Sequence, residues 1–181
     1  GLWCDSGSPA AADNLVDVSI GNLRLRGQAD VDGFSEHRHL LNLNGVTRCM
    51  VQGVSFMAFR GDAIYLGSSN LGATERHNRD VKIRECSFDG VNYQNRNAIS
   101  VIDCDGLLID ACRFERVARP DMPGAIDLEP NLEPFHVVRN IRITNNRFTD
   151  IGGGVGVISL VVPARMSTPS QAIVVSHNEI R

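Results

Sequence analysis

Two carboxylates in one short apolar segment are the residues best suited to chemistry. Asp127 and Glu129 alternate with Ile126 and Leu128 in the segment GAIDLE. In a strand, alternate residues point to the same face, so both carboxyl groups would leave one face with Cα atoms about 6.5 to 7 Å apart. That spacing admits carboxyl separations from the roughly 5.5 Å of retaining glycosidases to the 6.5 to 9.5 Å of inverting ones. We predict acid/base catalysis here; the alternative is that both side chains are solvated or order the turn at Pro130.

Groups that suit a sugar ligand lie on neighbouring segments. Aromatic faces stack on sugars, hydroxyls hydrogen-bond to them, and histidine acts as a base near neutral pH. We expect His77 to be a third catalytic residue. The expected substrate-binding residues are Tyr65, Ser100, Glu75, Arg76, Arg96, Arg119 and His136. The alternative for each loop residue is an ordinary solvated side chain.

Composition excludes several classes of function. The chain has 181 residues, 43% of them hydrophobic, and a formal charge of −3, which suits one domain with a real core. No basic stripe is present for a phosphate backbone, so no nucleic-acid partner is expected. The longest apolar runs fall well short of a membrane span, so no membrane insertion is expected.

The cysteines and acidic residues do not predict a metal centre. Five widely spaced cysteines include no CxxC pair, which argues against structural zinc and favours buried reduced thiols. Asp103 and Asp105 offer oxygen ligands, but they match no calcium-loop motif. No metal is therefore expected. No organic cofactor is expected either, since no glycine-rich loop joins a strand to a helix.

An eight-residue pattern recurs six times along the chain. The copies are VSIGNLRL from Val18, CMVQGVSF from Cys49, VKIRECSF from Val81, LLIDACRF from Leu107, IRITNNRF from Ile141 and IVVSHNEI from Ile173. Positions one and three are apolar and position two is usually polar, so each copy is predicted to be one short strand. Phenylalanine at position eight of four consecutive copies predicts a stack of rings inside the fold.

A second strand is predicted about ten residues after each phenylalanine. Its copies are HLLNLN from His39, DAIYLG from Asp62, NAISVI from Asn97, GAIDLE from Gly124 and VISLVV from Val157. No sustained helical periodicity is present, and strands that repeat without helices stack into a solenoid. We therefore predict an all-β parallel β-helix of about five to six rungs over residues 16–181, after an irregular lead-in at 1–15.

The repeat, written apolar-x-apolar-x-x-Asn/Cys-x-Phe and followed by Gly-x-Ile-x-apolar, resembles the right-handed parallel β-helix of the pectate-lyase-like superfamily. The resemblance covers about residues 16–181. It implies an asparagine ladder in a tight turn, with cysteines in the same slot of earlier rungs. The ladder residues would be Cys86, Cys112, Asn146 and Asn178. It also implies that the outer face of the DAIYLG, NAISVI and GAIDLE sheet carries a carbohydrate cleft.

Three segments, RGDAIYLGSS, ERHNRDVKI and GAIDLEPN, look most like the β-helical parts of bacteriophage tailspikes. The likeness implies an extracellular or virion-associated protein that binds and cleaves a polysaccharide, as a hydrolase or a lyase. A non-catalytic carbohydrate-binding or structural module is the alternative. Tailspikes also imply a homotrimer, and the chain's end directly after a repeat strand suggests a fragment of a longer protein.

The sequence departs from the better-known members of that superfamily. It lacks the GHG tripeptide of polygalacturonases and the RxPxxR signature of calcium-dependent pectate lyases. AIDLEPN echoes the YG-x-DPH motif of alginate epimerases but lacks its tyrosine and histidine. A parallel β-helix serves many chemistries, so the resemblance assigns no single reaction.

Overall fold

The computed structural model describes residues 1–5, 14–69, 75–131, 133–164 and 166–181. The strands within these residues are β1 (Leu2–Asp5), β2 (Leu15–Val16), β3 (Ser19–Gly21), β4 (Arg24–Arg26), β5 (Leu41–Asn44), β6 (Val46–Gln52), β7 (Ser55–Met57), β8 (Ile64–Gly67), β9 (Arg79–Arg84), β10 (Ser87–Asp89), β11 (Ile99–Val101), β12 (Cys104–Asp110), β13 (Arg113–Glu115), β14 (Ile126–Leu128), β15 (Val138–Thr144), β16 (Arg147–Thr149), β17 (Ile158–Leu160), β18 (Gln171–Ser176) and β19 (Glu179–Ile180). The one helix found there, α1 (Ala29–Asp32), has four residues. No helix in the described ranges is long and apolar enough to cross a membrane.

The strands form three parallel sheets through which the chain cycles. Sheet A has the order β1-β5-β8-β11-β14-β17, and sheet C has the order β4-β7-β10-β13-β16-β19. Sheet B has the order β2-β6-β9-β12-β15-β18, and β3 also pairs with β6. Each strand therefore pairs with its equivalents in the rungs below and above. This confirms the predicted all-β parallel β-solenoid of about six rungs.

Each eight-residue copy contributes to two strands, and the prediction of a single strand per copy is wrong. The chain leaves sheet B at position five of the copy and enters sheet C two residues later. Position five adopts a left-handed backbone conformation in all six copies, with φ between 53° and 62°. The position-five residues are Asn22, Gly53, Glu85, Ala111, Asn145 and His177. A left-handed residue bends an extended chain sharply, so the same turn recurs in every rung.

The predicted phenylalanine stack fills the interior behind sheet C. Phe56, Phe88, Phe114 and Phe148 are fully or almost fully buried and stand directly above one another in register. Successive ring centroids are 5.0, 4.7 and 4.6 Å apart, and the ring planes are nearly parallel. Aromatic contacts of this kind add to the free energy gained by burying the rings.

The predicted ladder occupies the turn between sheets B and C. Asn146 Oδ1 accepts the backbone N–H of Cys112 at 2.9 Å, and Asn178 Oδ1 accepts that of Asn146 at 2.9 Å. In an earlier rung Cys86 takes the same slot, with its thiol directed to a backbone carbonyl. The side chains thus satisfy backbone groups that the bend removes from the sheets.

The lead-in at residues 1–15 is not wholly irregular. Residues Leu2–Asp5 form β1, which pairs in parallel with β5 and places Trp3 opposite Asn42. Residues 6–13 lie outside the described part of the chain. The first rung of sheet A therefore begins almost at the start of the sequence, a strand that the repeat pattern did not reveal.

Candidate functional site

A single register on the outer face of sheet A carries the predicted site. One side chain per rung lies in line along the sheet. In rung order these residues are Trp3, Asn42, Tyr65, Ser100, Asp127 and Ser159. In the four central strands, the neighbours before and after these residues are the paired apolar side chains of the hydrophobic core, so the alternation of the strands directs this line outward.

The outer face is covered at its centre and open at one end. Ser100 and Asp127 are completely buried, whereas Tyr65 is half-buried and Trp3 is 69% exposed. The prediction that these side chains point away from the core, to the outer face of the sheet, is confirmed. Because the central ones are covered, the line is open to solvent mainly at Trp3 and in part at Tyr65.

Arg96 connects the polar groups of the covered region. Its Nη1 donates to Ser100 Oγ at 2.9 Å and lies 3.2 Å from an Asp62 carboxylate oxygen. Its Nη2 and Nε lie 3.9 Å from Glu129 and 3.8 Å from Glu36, respectively. Burial alone would lower the pKa of Arg96, but the charges of the surrounding carboxylates outweigh burial and raise it. One guanidinium group thus lies close to three carboxylates, those of Glu36, Asp62 and Glu129.

Asp62 belongs to the site, although it is not among the site residues predicted from the sequence. It is completely buried and accepts the backbone N–H of Asn97 at 3.1 Å. Burial raises the pKa of Asp62 to about 6, against the opposing effects of Arg96 and the hydrogen bonds it accepts. A Gly-Asp pair before a strand is also what an ordinary turn presents, so the pattern alone does not reveal this ion pair.

Asp127 and Glu129 form a hydrogen-bonded pair of carboxyl groups. Asp127 also accepts the Ser159 hydroxyl at 2.5 Å, while Glu129 keeps 40% of its side chain exposed. Burial raises the pKa of Glu129, and the charge and hydrogen bond of Asp127 raise it further. The two carboxyl groups interact directly through that hydrogen bond. They act as one unit in which Glu129 is the accessible member.

Glu36 is the second accessible carboxylate at this site, and the sequence analysis missed it. It lies in the connection between α1 and β5, and its side chain is 56% exposed. Glu36 and Glu129 contact different nitrogens of the same guanidinium. No repeat pattern marks Glu36, because it comes from an irregular connection.

A groove leads from these acids along the outer face of sheet A. A cavity of about 340 Å³ is lined by residues that include Glu36, Tyr65 and Arg96. It shares Trp3 and three polar residues with a larger cavity of about 880 Å³ around the first rungs. His39 stacks on the Tyr65 ring with centroids 4.7 Å apart. The groove thus combines aromatic faces with charged groups at one end.

His39 is held neutral beneath this groove. Its Nδ1 accepts the backbone N–H of Asp62 at 3.0 Å, so the ring proton resides on Nε2. Burial lowers the pKa of His39 to about 4, and the charges of Arg96 and His37 act in the same direction. A histidine that must stay uncharged in the fold but titrates normally when unfolded makes stability depend on pH.

We expect His39→Gln to remove part of the acid sensitivity of folding. The folded pKa lies below the unfolded one, so stability is lost as pH falls from about 6.5 towards 4, by about 2 kcal/mol between pH 7 and 5. Urea unfolding at both pH values should show the gap between wild type and His39→Gln narrowing by that amount at pH 5. His37→Gln, at an exposed position, should keep the wild-type dependence. An unchanged gap would contradict the neutral, buried state of His39.

The predicted histidines lie in a different cluster. His77 Nδ1 is 2.9 Å from buried Asp103, and Glu75 is 3.8 Å from its Nε2. Asp103 follows Ser100 by three residues, in the bend at residues 102–103 between β11 and β12. Hydrogen bonding to Asp103 raises the pKa of His77. The structure therefore brings Asp127 and Glu129 together and places His77 with Asp103 in a separate group.

The remaining predicted binding residues are distributed around the two clusters. Tyr65 and Arg96 line the groove. Arg76 is buried, at 1% exposure, and His136 is also buried. Arg119 pairs with Asp121 and lies over the Phe34 ring at 4.3 Å. Tyr65 and Arg96 therefore present surface in the groove, whereas Arg76 and His136 are buried.

Comparison with known proteins assigns no family. No family profile matches the sequence, and no curated protein or solved structure is significantly similar to it. Within the described ranges, no group of three or more histidine, cysteine, aspartate or glutamate side chains is arranged to hold a metal ion. The function of this protein is therefore inferred from the geometry of the groove and its acidic residues.

Proposed function

We propose that this chain is a carbohydrate-active β-helix protein that binds an extracellular polysaccharide along the groove of sheet A and cleaves it. The observation that carries the proposal is the half-exposed carboxyl group of Glu129, which interacts with buried Asp127 and lies 3.9 Å from Arg96 in the wall of the aromatic groove. The sequence resemblance to pectate-lyase-like and tailspike β-helices supports the same proposal. The proposal includes an extracellular or virion-associated location and a trimeric assembly.

Glu129 is the proposed general acid. A carboxyl whose pKa is raised keeps its proton closer to neutral pH and can give it to a leaving sugar oxygen. Asp127 is a positioning residue, because it is fully buried and acts on the substrate only through Glu129. Glu36, which contacts Nε of the same guanidinium group, is the proposed second carboxylate that activates water.

The groove fits a chain of sugars better than a single ring. Trp3 and Asp127 are four rungs apart in the same register, about 19 Å at the usual strand spacing. Aromatic side chains at Trp3 and Tyr65 offer apolar faces for sugar rings along that line. A polymer lying parallel to the solenoid axis would contact both aromatic residues and reach Glu129.

Non-catalytic binding is the second candidate function, and one observation favours it. The Asp127 carboxyl group forms hydrogen bonds with Ser159 and Glu129, as expected of a buried polar network that orders the sheet. Incubation with acidic and neutral polysaccharides separates the candidates. New reducing ends without ultraviolet absorbance indicate a hydrolase, new absorbance from an unsaturated sugar indicates a lyase, and retained binding with neither indicates a binding module.

Titration with a polysaccharide that binds in the groove should change the tryptophan emission of this protein. Trp3 is the only tryptophan in the chain, is 69% exposed and lines the groove, so its fluorescence reports on that end alone. Stacking of a sugar on the indole removes water from it, and we expect a saturable blue shift or quench. Trp3→Phe should retain binding in calorimetry but lose the signal. Saturable binding without any change in wild-type emission would place the polysaccharide elsewhere.

A further inference from the structure

We infer that Ser68 and His136 form a nucleophile and base pair that reacts with carboxylic esters, at a site separate from the groove acids. Ser68 Oγ lies 3.1 Å from His136 Nε2, within hydrogen-bond reach. The Ser68 side chain is partly exposed, while the His136 ring is buried behind it. An accessible hydroxyl backed by a buried imidazole is the arrangement that nucleophilic catalysis by serine requires.

The local fold brings Ser68 and His136 together. Ser68 follows β8 directly, at the edge where the strands of sheet A end, and His136 precedes β15 of sheet B by two residues. The Asn131 backbone carbonyl favours the protonated form of the His136 ring, yet no described group makes a well-formed hydrogen bond to Nδ1. Ser68 donates to Nε2 in the neutral tautomer that carries the ring proton on Nδ1, and the inference requires that tautomer.

The charges around His136 suit a base that becomes positive during reaction. Burial lowers the pKa of His136, which keeps the ring neutral and able to accept a proton near pH 7. Asp103 and Glu133 stabilise the imidazolium by their charge, while His77 opposes it when protonated. Asp103 is buried and held by His77 and by the Val137 N–H at 2.6 Å, so its position is fixed.

The reaction balances without a metal or redox partner. Ser68 Oγ attacks the ester carbonyl carbon as its proton moves to His136 Nε2, and the new C–O bond gives a tetrahedral intermediate. The ester C–O bond then breaks, and the leaving alkoxide takes the proton from His136. Water, deprotonated by the same ring, releases the carboxylic acid and restores Ser68.

A fluorophosphonate probe on the full chain tests this inference. Ser68 Oγ should form a bond to phosphorus, fluoride should leave with the proton that passes through His136, and mass spectrometry should locate the adduct on Ser68. Ser68→Ala should abolish labelling. Ser69→Ala is the matched control, because Ser69 Oγ donates to Asp5 and has no histidine partner. His136→Asn should slow labelling by roughly 10² or more, the usual scale for loss of a general base.

The pH profile gives a readout that needs no variant. The wild-type labelling rate should be full at neutral pH and fall only below the ordinary range of histidine, as His136 becomes protonated. No adduct on Ser68 in the folded wild type, or equal labelling of wild type and folded His136→Asn, would overturn the inference. Because the probe reads Ser68 and not glycan cleavage, it can fail while the groove proposal stands, and the reverse also holds.

Discussion

Glu129→Gln is expected to lower turnover by roughly 10² or more on any polysaccharide that the wild-type protein cleaves, the usual scale for loss of a general acid. The amide keeps the volume of the carboxyl and its contact with Asp127 but has no proton of suitable acidity to donate. The measurement is the initial rate of new chain ends at saturating polysaccharide, with Trp3 emission confirming that binding persists. Glu115→Gln, on the outer face of sheet C at similar exposure, should keep the wild-type rate.

The pH profile distinguishes a catalytic Glu129 from a structural one. Asp127 helps to raise the pKa of Glu129, so Asp127→Asn should lower that pKa. The pH above which activity is lost should therefore move to lower pH in Asp127→Asn. Glu36→Gln should lower turnover without moving that limit. Full activity in both Glu129→Gln and Glu36→Gln, with normal thermal unfolding, would remove catalysis from this groove and leave the binding candidate.

The solenoid was predictable because its physics is local and repeated. Apolar alternation gives each strand one inward face, and the recurrence of phenylalanine fixes the register between rungs, which the stacked rings confirm. The bend at position five was not predictable from residue type, because asparagine, glycine, glutamate, alanine and histidine all occupy it. The ladder residue that follows it satisfies the turn, so the preceding residue is free to vary.

The candidate site was predictable only where the strands carry it. The line through Tyr65, Ser100 and Asp127 follows from the two-residue period of a strand. Burial of that line depends on Arg96 lying over it, and Glu36 arrives from an irregular connection that has no period. For the same reason the separation of His77 from the carboxylates depends on the paths of the loops, which spacing along the sequence does not determine.

Phe114→Ala is expected to be the most destabilising single substitution that we propose. Phe114 is buried between two other rings, with centroid distances of 4.7 and 4.6 Å. Truncation removes the buried ring, leaves a cavity in a rung whose backbone is fixed by pairing on both sides, and should cost about 3 to 5 kcal/mol in unfolding free energy. Chemical denaturation measures that loss. Phe114→Leu, which fills most of the cavity, should lose much less.

The position of Phe114 within the stack makes a further distinction measurable. Neighbouring rungs of a solenoid stabilise one another mainly through their shared interface, so the damage should be greatest next to the cavity. Hydrogen exchange in Phe114→Ala should accelerate most in β13 and in β10 and β16, the two strands that pair with β13. Val31→Ala, at a position with 76% exposure, should change stability by less than about 0.5 kcal/mol. If Phe114→Ala cost no more than Val31→Ala, the phenylalanine stack would contribute no measurable stability to the fold.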